Sequence, residues 1–158
     1  MRKDAAARAG TLRIEELESR LLLSGSSLLQ QSFDGTTAGS LPSGWSQWSN
    51  TGYTSFAVSS ALALAGANGL ASSGSSNVAA RAWAATSEPA NVQVSAAVFV
   101  NGLTPAQVLA RGSNLNTATP TYYALSVGRG MYAQLVLVVN GRATVLGEVN
   151  TTSWFEAK

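Results

Sequence analysis

The stretch that decides the fold runs from Tyr132 to Val149 and reads YAQLVLVVNGRATVLGEV. Two β-rich apolar runs flank the dipeptide Asn140-Gly141, which readily supplies the two positive φ angles of a type I′ turn. A two-residue turn fixes the register of its strands. The predicted cross-strand pairs are Val139 with Arg142, Leu137 with Thr144, Leu135 with Leu146, and Val136 with Val145. A hairpin this apolar needs a second layer to cover it.

The 158-residue chain has few charges and contains neither cysteine nor histidine. Its 10 Lys and Arg against 8 Asp and Glu give a formal charge of +2, so we expect no cationic face and no nucleic-acid partner. Without Cys and His there are no disulfides, thiolate nucleophiles, usual zinc ligands or His-based triads. No window of about 20 consecutive apolar residues occurs, so we expect no membrane span.

Residues 1–31 differ in composition from the rest of the chain and end in a Ser-rich linker at 25–31. From Thr11 the run TLRIEELESRLLLSG places Ile14, Leu17 and Leu21 on one face at helical spacing, and Gly25 ends it. This pattern predicts a short amphipathic helix. The segment is not a conventional secretory signal, because its charged region is too long and its apolar run too short.

Part of this helix resembles a known sorting motif. The run LESRLLLS at 17–24 resembles the LEPR-XLL segment found near the N-terminus of large exported planctomycete surface proteins, with Ser19 where that motif has proline. The matching residues are Leu17, Glu18, Arg20, Leu21, Leu22 and Leu23. The resemblance implies a sorting signal on an extracellular or cell-surface protein. The alternative is an ordinary amphipathic helix.

After residue 31 the chain reads as short strands separated by turns. We predict two short strands in SFAVSSALALAG at 55–66, further strands at 78–84, 91–100, 108–111 and 122–127, and then the hairpin. Residues 66–77 and 112–120 are predicted loops. Trp45, Trp48 and Tyr53 are expected to close one end of the core beneath a turn-rich loop. Alternation at 91–100 places Val94 and Val98 on the core side.

No helical pattern follows residue 32, so the predicted fold class is all-β: an antiparallel β-sandwich or jelly roll, preceded by the short N-terminal amphipathic helix. The segments FDG, LPSGW, FAVSS-ALAL, ARAW, VQVSAAV, YYALSV and TVLG, in this order, resemble the concanavalin A-like lectin/glucanase superfamily, in particular its laminin-G-like modules. The predicted domains are a sorting segment with its linker at 1–31 and a jelly-roll domain at 32–158. Such modules normally continue with further strands, so the resemblance implies an incomplete domain.

The acidic residues argue against catalysis. Glycosidases of that superfamily share an E-x-D-x-E type strand whose paired carboxylates perform acid–base chemistry. The acids after residue 31 are instead isolated in sequence: Asp34, Glu88, Glu148 and Glu156. We therefore predict a non-catalytic domain without a cofactor. Calcium, which lectin-like modules often bind, has Asp34 as its anchoring candidate; the alternative for Asp34 is turn formation with Gly35.

A glycan site needs aromatic rings for stacking and planar groups for hydrogen bonding. Strand parity places Arg81 with Trp83 and keeps Arg111 and Tyr122 away from presumed core positions. The candidate ligand-binding set for a polysaccharide or other glycan is Arg81, Trp83, Gln93, Arg111 and Tyr122. The alternative is that Trp83 packs in the core and the two arginines are solvated surface charges.

Three functions of different classes remain open from the sequence. The first, which the sequence favours, is a non-catalytic extracellular or cell-surface carbohydrate-binding module. The second is a structural or adhesive spacer of a large surface protein, which would depend on adjoining domains of a longer chain. The third is the N-terminal part of a glycoside hydrolase whose acidic strand would follow Lys158.

Overall fold

The computed structural model describes residues 29–61, 63–74, 78–89, 91–100, 102, 104–129 and 132–150. These residues contain no helix. They form eight strands: β1 (Trp45–Ser49), β2 (Ser55–Ser59), β3 (Gly69–Ser73), β4 (Ala80–Ala84), β5 (Ala106–Ser113), β6 (Thr121–Gly128), β7 (Tyr132–Val139) and β8 (Arg142–Asn150). The predicted N-terminal helix, the LEPR-XLL residues and Glu156 lie outside the described residues.

The strands form three antiparallel sheets. β1 pairs with β4, and β2 pairs with β3, each as a two-stranded ribbon. The third sheet has four strands in the order β5-β6-β7-β8, so each strand pairs with its neighbour in sequence. For the described residues, the prediction of an all-β fold built from antiparallel sheets is confirmed.

The hairpin between β7 and β8 turns at Asn140 and Gly141, whose φ angles are 48° and 79°. Three of its predicted pairs are confirmed: Val139 with Arg142, Leu137 with Thr144, and Val136 with Val145. The fourth pair is wrong, because Leu135 lies opposite Gly147. The register shifts between Leu135 and Val136, which makes Leu146 an extra residue in a β-bulge.

Replacing Gly141 with alanine should destabilise the domain. An added Cβ would meet the carbonyl oxygen of Ala118 at 2.8 Å, and the positive φ disfavours any side chain. The backbone cannot move away freely, since the N–H of Gly141 donates to the carbonyl oxygen of Pro120 at 2.8 Å. We expect Gly141→Ala to lower the free energy of unfolding in urea by about 1–2 kcal/mol. The control is Gly147→Ala, where nothing lies within 4 Å of the added Cβ. Equal losses would contradict this view of the turn.

The four-stranded sheet buries the face that the sequence assigns to solvent. Tyr122 was predicted to lie away from the core, but it shares its side of β6 with buried residues. The buried side chains of this face in β6 and β7 are those of Ala124, Ser126, Val136 and Val138. The opposite face exposes Tyr123, Leu125, Leu135 and Val139. β7 carries apolar residues on both sides, so alternation separates its two faces without deciding which one is covered.

Two predicted strands are wrong. Residues 91–100 form no sheet pairing, and both Val94 and Val98 are exposed. The second of the two short strands predicted at 55–66 is also missing, because residues 63–66 lie outside any strand. A strand needs a neighbouring edge for its backbone hydrogen bonds, and alternation says nothing about whether such an edge exists.

Two strands occur where the sequence predicts loops. β1 lies in the turn-rich segment after Asp34, and β3 lies within the predicted loop 66–77. β3 has the sequence GLASS and is recruited by backbone pairing with β2, where Ser55 and Ser73 also share a hydrogen bond between hydroxyls at 3.2 Å. Tyr53 does not close the core, because it is 83% exposed.

The first half of the domain is held around β2. Val58 is its most buried side chain, and its backbone exchanges two hydrogen bonds of 2.8 Å with Gly39 and Ser40. The side-chain oxygen of Gln47 in β1 accepts the N–H of Phe56 at 2.7 Å, which links β1 to β2. This arrangement fixes the ribbon of β1 and β4, on which the candidate residues Arg81 and Trp83 lie.

Candidate functional site

Arg81 of β4 is buried and joins two parts of the fold. Only 7% of its surface is exposed. Its Nη1 donates to the carbonyl oxygens of Leu115 and Thr117, both at 3.0 Å. Its guanidinium carbon lies 4.2 Å from the ring centroid of Trp48, its register partner on β1. Arg81 therefore ties the ribbon of β1 and β4 to the loop between β5 and β6, residues 114–120.

The electrostatics of Arg81 reflect this burial. Desolvation by burial lowers the pKa of Arg81 from its ordinary value, while the Coulombic interaction with Tyr122 raises it. A guanidinium remains charged in proteins, because its unperturbed pKa lies so far above neutral pH.

The structure places Arg81 and Trp83 on one face of β4, and Arg81 interacts electrostatically with Tyr122. Trp83 is half-buried and shares a face of β4 with Arg81, two residues away. Tyr122 is half-buried, and its hydroxyl donates to Oε1 of Gln107 at 3.4 Å. Gln93 is exposed in the segment that forms no strand. Gln93 is therefore not aligned with the other residues by a sheet.

Arg111 is separated from Tyr122 by a β-bulge. The register between β5 and β6 shifts between Ala110 and Ser113, and Arg111 adopts a positive φ of 55°. Its guanidinium carbon lies 5.9 Å from the ring centroid of Tyr123, which points to the opposite face of β6 from Tyr122. Strand parity predicts the side of a residue only while the register is regular, and here it is not.

Sequence reasoning missed Trp48 as a neighbour of the candidate site residue Arg81. It was assigned to the end of the core, whereas its ring forms the platform for Arg81. The signal was present in WSQWS at 45–49, a short aromatic run bounded by Gly44 and Asn50. Such a run between turn formers is typical of a strand. Its partner strand, however, is separated by two intervening strands and is not indicated by local pattern.

Asp34 anchors a loop. Its Oδ1 accepts the backbone N–H groups of Ala67 at 2.8 Å and Asn68 at 2.9 Å. An added Cβ at Gly66 would collide with the same carboxylate. Among the residues that the structure describes, no group of three or more His, Cys, Asp or Glu could hold a metal ion. The contacts of Asp34 therefore suit a role in positioning the loop at 66–68.

Replacing Asp34 with alanine should release this loop. Two backbone N–H groups would lose a charged acceptor, which we expect to cost about 1–3 kcal/mol of unfolding free energy. Hydrogen exchange of the Ala67 and Asn68 amides should accelerate. Glu88→Ala is the control, because Glu88 only accepts a hydrogen bond at 2.8 Å from the exposed Thr86 two residues away. Unchanged exchange at both amides in Asp34→Ala would show that the carboxylate does not hold the loop.

A second feature is the exposed side of the four-stranded sheet, here called the apolar face. Its larger members, aligned across β5, β6 and β7, are Val108, Tyr123, Leu125, Val127, Leu135, Leu137 and Val139. Leu125 and Leu135 are direct cross-strand partners near its centre, and each is 47% exposed. Two arginines, Arg111 and Arg142, lie at the end of the face where β5 ends and β8 begins.

No family model, curated protein or solved structure matches the chain. The resemblances to the LEPR-XLL segment and to concanavalin A-like modules therefore rest on the sequence segments alone. In the part of the chain that the structure describes, no helix is long and apolar enough to cross a membrane.

Proposed function

We propose that residues 32–158 form a non-catalytic interaction module, a structural or adhesive domain that works through its apolar face. The observation that carries this proposal is the exposed pair Leu125 and Leu135, which are direct partners on β6 and β7. Single exposed leucines are normal on protein surfaces, but a contiguous apolar patch marks a binding surface or an aggregation hazard. The backbone pairing of β5 to β8 supports this patch.

The size of the patch supports the same proposal. The three strands that carry its larger members lie about 4.8 Å apart, and with about six residues each at a rise of about 3.4 Å they cover a footprint of about 300 Å². The largest apolar patch on a typical monomer is about 300–600 Å² and is often functional. The apolar face is therefore large enough to act as a binding surface.

The described carboxylates support a non-catalytic role. Asp34 is occupied by two backbone amides, Glu88 accepts a hydrogen bond from Thr86, and Glu148 accepts one from Gln134. Each of the three therefore has its own local partner. Paired acid–base catalysis would require two carboxylates facing one substrate bond.

The proposed setting is an extracellular or cell-surface protein with adjoining domains. It rests on the LEPR-XLL resemblance at 17–24 and on the resemblance of later segments to laminin-G-like jelly rolls. Fusing residues 1–32 to a reporter tests the sorting role in a host that exports such proteins. We expect the reporter to leave the cytoplasm, and its complete retention would remove this part of the proposal.

A hydrophobic fluorescent dye tests the interaction surface on the folded chain. We expect dye fluorescence to rise with the wild-type protein and to fall in Leu125→Glu, because the charge breaks the apolar patch. Leu64→Glu is the matched control, since Leu64 is 56% exposed and lies outside the sheets. Circular dichroism confirms that each variant keeps its β structure. Equal dye binding by Leu125→Glu and wild type would refute the proposal.

A second candidate is glycan binding beside Trp83. The observation in its favour is that Trp83 is half-buried and shares a strand face with Arg81. An aromatic ring near fixed hydrogen-bonding groups suits a sugar. Titration with oligosaccharides should then shift tryptophan fluorescence, and Trp83→Ala should lose the shift while keeping its β structure. The candidate is rejected if no oligosaccharide gives a saturable shift.

A further inference from the structure

We propose that residues 91–100, here called the processing segment, are cut by an endopeptidase with a shallow pocket for small aliphatic side chains, and that the two fragments stay associated. The segment lies between β4 and β5. A cut within it separates β1 to β4 from the four-stranded sheet of β5 to β8. The inference does not depend on the apolar face, because it concerns the backbone between the two halves of the domain.

The backbone of the processing segment is accessible to a protease. Residues 92–100 continue for nine residues without a turn or bend, and residues 93–99 are all exposed. Among the described residues, no hydrogen bond and no sheet pairing involves the processing segment. A partner that binds an extended chain pairs with its backbone groups and takes alternate side chains into pockets. The segment therefore has the exposed and unpaired backbone that a protease cleft needs.

Other exposed loops are held by hydrogen bonds. In the loop at 114–120, the N–H of Thr117 donates to the carbonyl oxygen of Asn114 at 3.1 Å. In the loop at 66–68, two backbone N–H groups donate to the carboxylate of Asp34. A protease must wait for such bonds to open before the backbone can enter its cleft, which lowers the rate of cleavage. We therefore expect the processing segment to be cut before either loop.

The side chains of the processing segment indicate the specificity of the protease. Its sequence, NVQVSAAVFV, has no charged residue, so a protease that requires lysine, arginine or a carboxylate finds no residue to bind. The centre of the segment, from Val94 to Val98, contains only valine, serine and alanine. A small primary pocket of the elastase type accepts such side chains. Hydrolysis adds one water across a peptide bond of this centre and leaves a carboxylate on one fragment and an amine on the other.

A cut in the processing segment leaves the contacts of the fold in place. It breaks none of the backbone pairings between the eight strands, because the segment takes part in none of them. Arg81 on β4 still donates to the carbonyl oxygens of Leu115 and Thr117 beyond the cut, both at 3.0 Å. A chain break is tolerated where the affected backbone is exposed and unbonded. The two fragments therefore remain one particle that is bridged at Arg81.

Limited digestion of the folded full chain with pancreatic elastase tests the site, and mass spectrometry identifies the cut bonds. Among cuts between residues 45 and 150, the first should fall within the processing segment. Its rate should exceed the rates in the loops at 66–68 and 114–120 by at least about 10-fold, because those loops must first lose hydrogen bonds. A first cut anywhere else between residues 45 and 150 would overturn the proposal.

Two matched variants separate backbone accessibility from side-chain preference. Ala97→Arg and Ala118→Arg each place a trypsin site at an exposed alanine, the first in the processing segment and the second in the loop at 114–120. Trypsin should cut after position 97 at least about 10-fold faster than after position 118. Circular dichroism confirms that both variants keep their β structure. Equal rates would overturn the claim that the unpaired backbone selects the site.

Size-exclusion chromatography of the cut protein tests the bridge between the fragments. The fragments of wild type should elute together in buffer and separately in urea. Cut Arg81→Lys should dissociate at least about 10-fold more readily, because lysine lacks the planar donor group of arginine. Arg142→Lys is the control, since Arg142 is exposed at the start of β8. Wild-type fragments that separate in buffer would overturn the associated state, and equal dissociation of the two variants would overturn the bridge at Arg81.

Discussion

Replacing Val136 with aspartate should unfold the domain, whereas the same replacement at Val145 should be tolerated. The two valines are direct partners on β7 and β8, yet Val136 is 5% exposed and Val145 is 51% exposed. A carboxylate buried without a partner costs several kcal/mol, so we expect Val136→Asp to lose at least about 4 kcal/mol of unfolding free energy. Urea unfolding at neutral pH measures both variants.

The effect at Val136 should depend on pH. Burial raises the pKa of the introduced carboxyl in the folded state above its unfolded value, so the folded state binds the proton more tightly. Stability should therefore recover in part as the pH falls, relative to wild type under the same conditions. Val145→Asp should show no such recovery. Losses of equal size at the two positions would mean that β8 is as buried as β7.

Replacing Arg81 with methionine should lower the free energy of unfolding nearly as much as Val136→Asp does. The change removes two charge-assisted hydrogen bonds to the carbonyl oxygens of Leu115 and Thr117 and the stacking on Trp48. It also leaves both carbonyl groups without this donor. We expect a loss of about 3–5 kcal/mol, which is a large share of the stability of a typical domain. Urea unfolding, together with hydrogen exchange in the loop at 114–120, measures it.

Arg142→Met is the control for Arg81→Met, because Arg142 is exposed at the start of β8. Its stability should change by no more than about 0.5 kcal/mol. The stability of Arg81→Lys should lie between those of Arg81→Met and Arg142→Met, since lysine keeps the charge but lacks the planar group that stacks on Trp48. A stability of Arg81→Met equal to wild type would show that Arg81 is available for a ligand rather than committed to the fold.

Local signals in the sequence predicted the parts of the fold that depend on near neighbours. The Asn140-Gly141 turn determined the register of the last hairpin for three pairs, because a two-residue loop leaves the strands no other alignment. The prediction failed beyond Val136, where a bulge inserts Leu146. It also failed at 91–100, where a regular alternation has no paired edge. β3 was missed because its sequence does not alternate like a strand, although the backbone of β2 offers it an edge to pair with.

The site shows the same division between local and long-range information. Two residues on one strand keep their relative side, so Arg81 and Trp83 share a face as predicted. The association of Arg81 with Trp48 requires β1 to pair with β4 across two intervening strands. The separation of Arg111 from Tyr122 requires a bulge. No local sequence pattern contains either fact.

The loop at 114–120 accepts hydrogen bonds from two parts of the chain that are distant in sequence, and this joins those parts mechanically. Arg81 donates to the carbonyl oxygens of Leu115 and Thr117, and the N–H of Gly141 in the β7–β8 turn donates to the carbonyl oxygen of Pro120. Tension applied to the early ribbon would reach the late hairpin through this short linkage. The losses of unfolding free energy caused by substituting Arg81 and Gly141 should therefore be non-additive. Either substitution alone already loosens the loop to which the other residue is bonded.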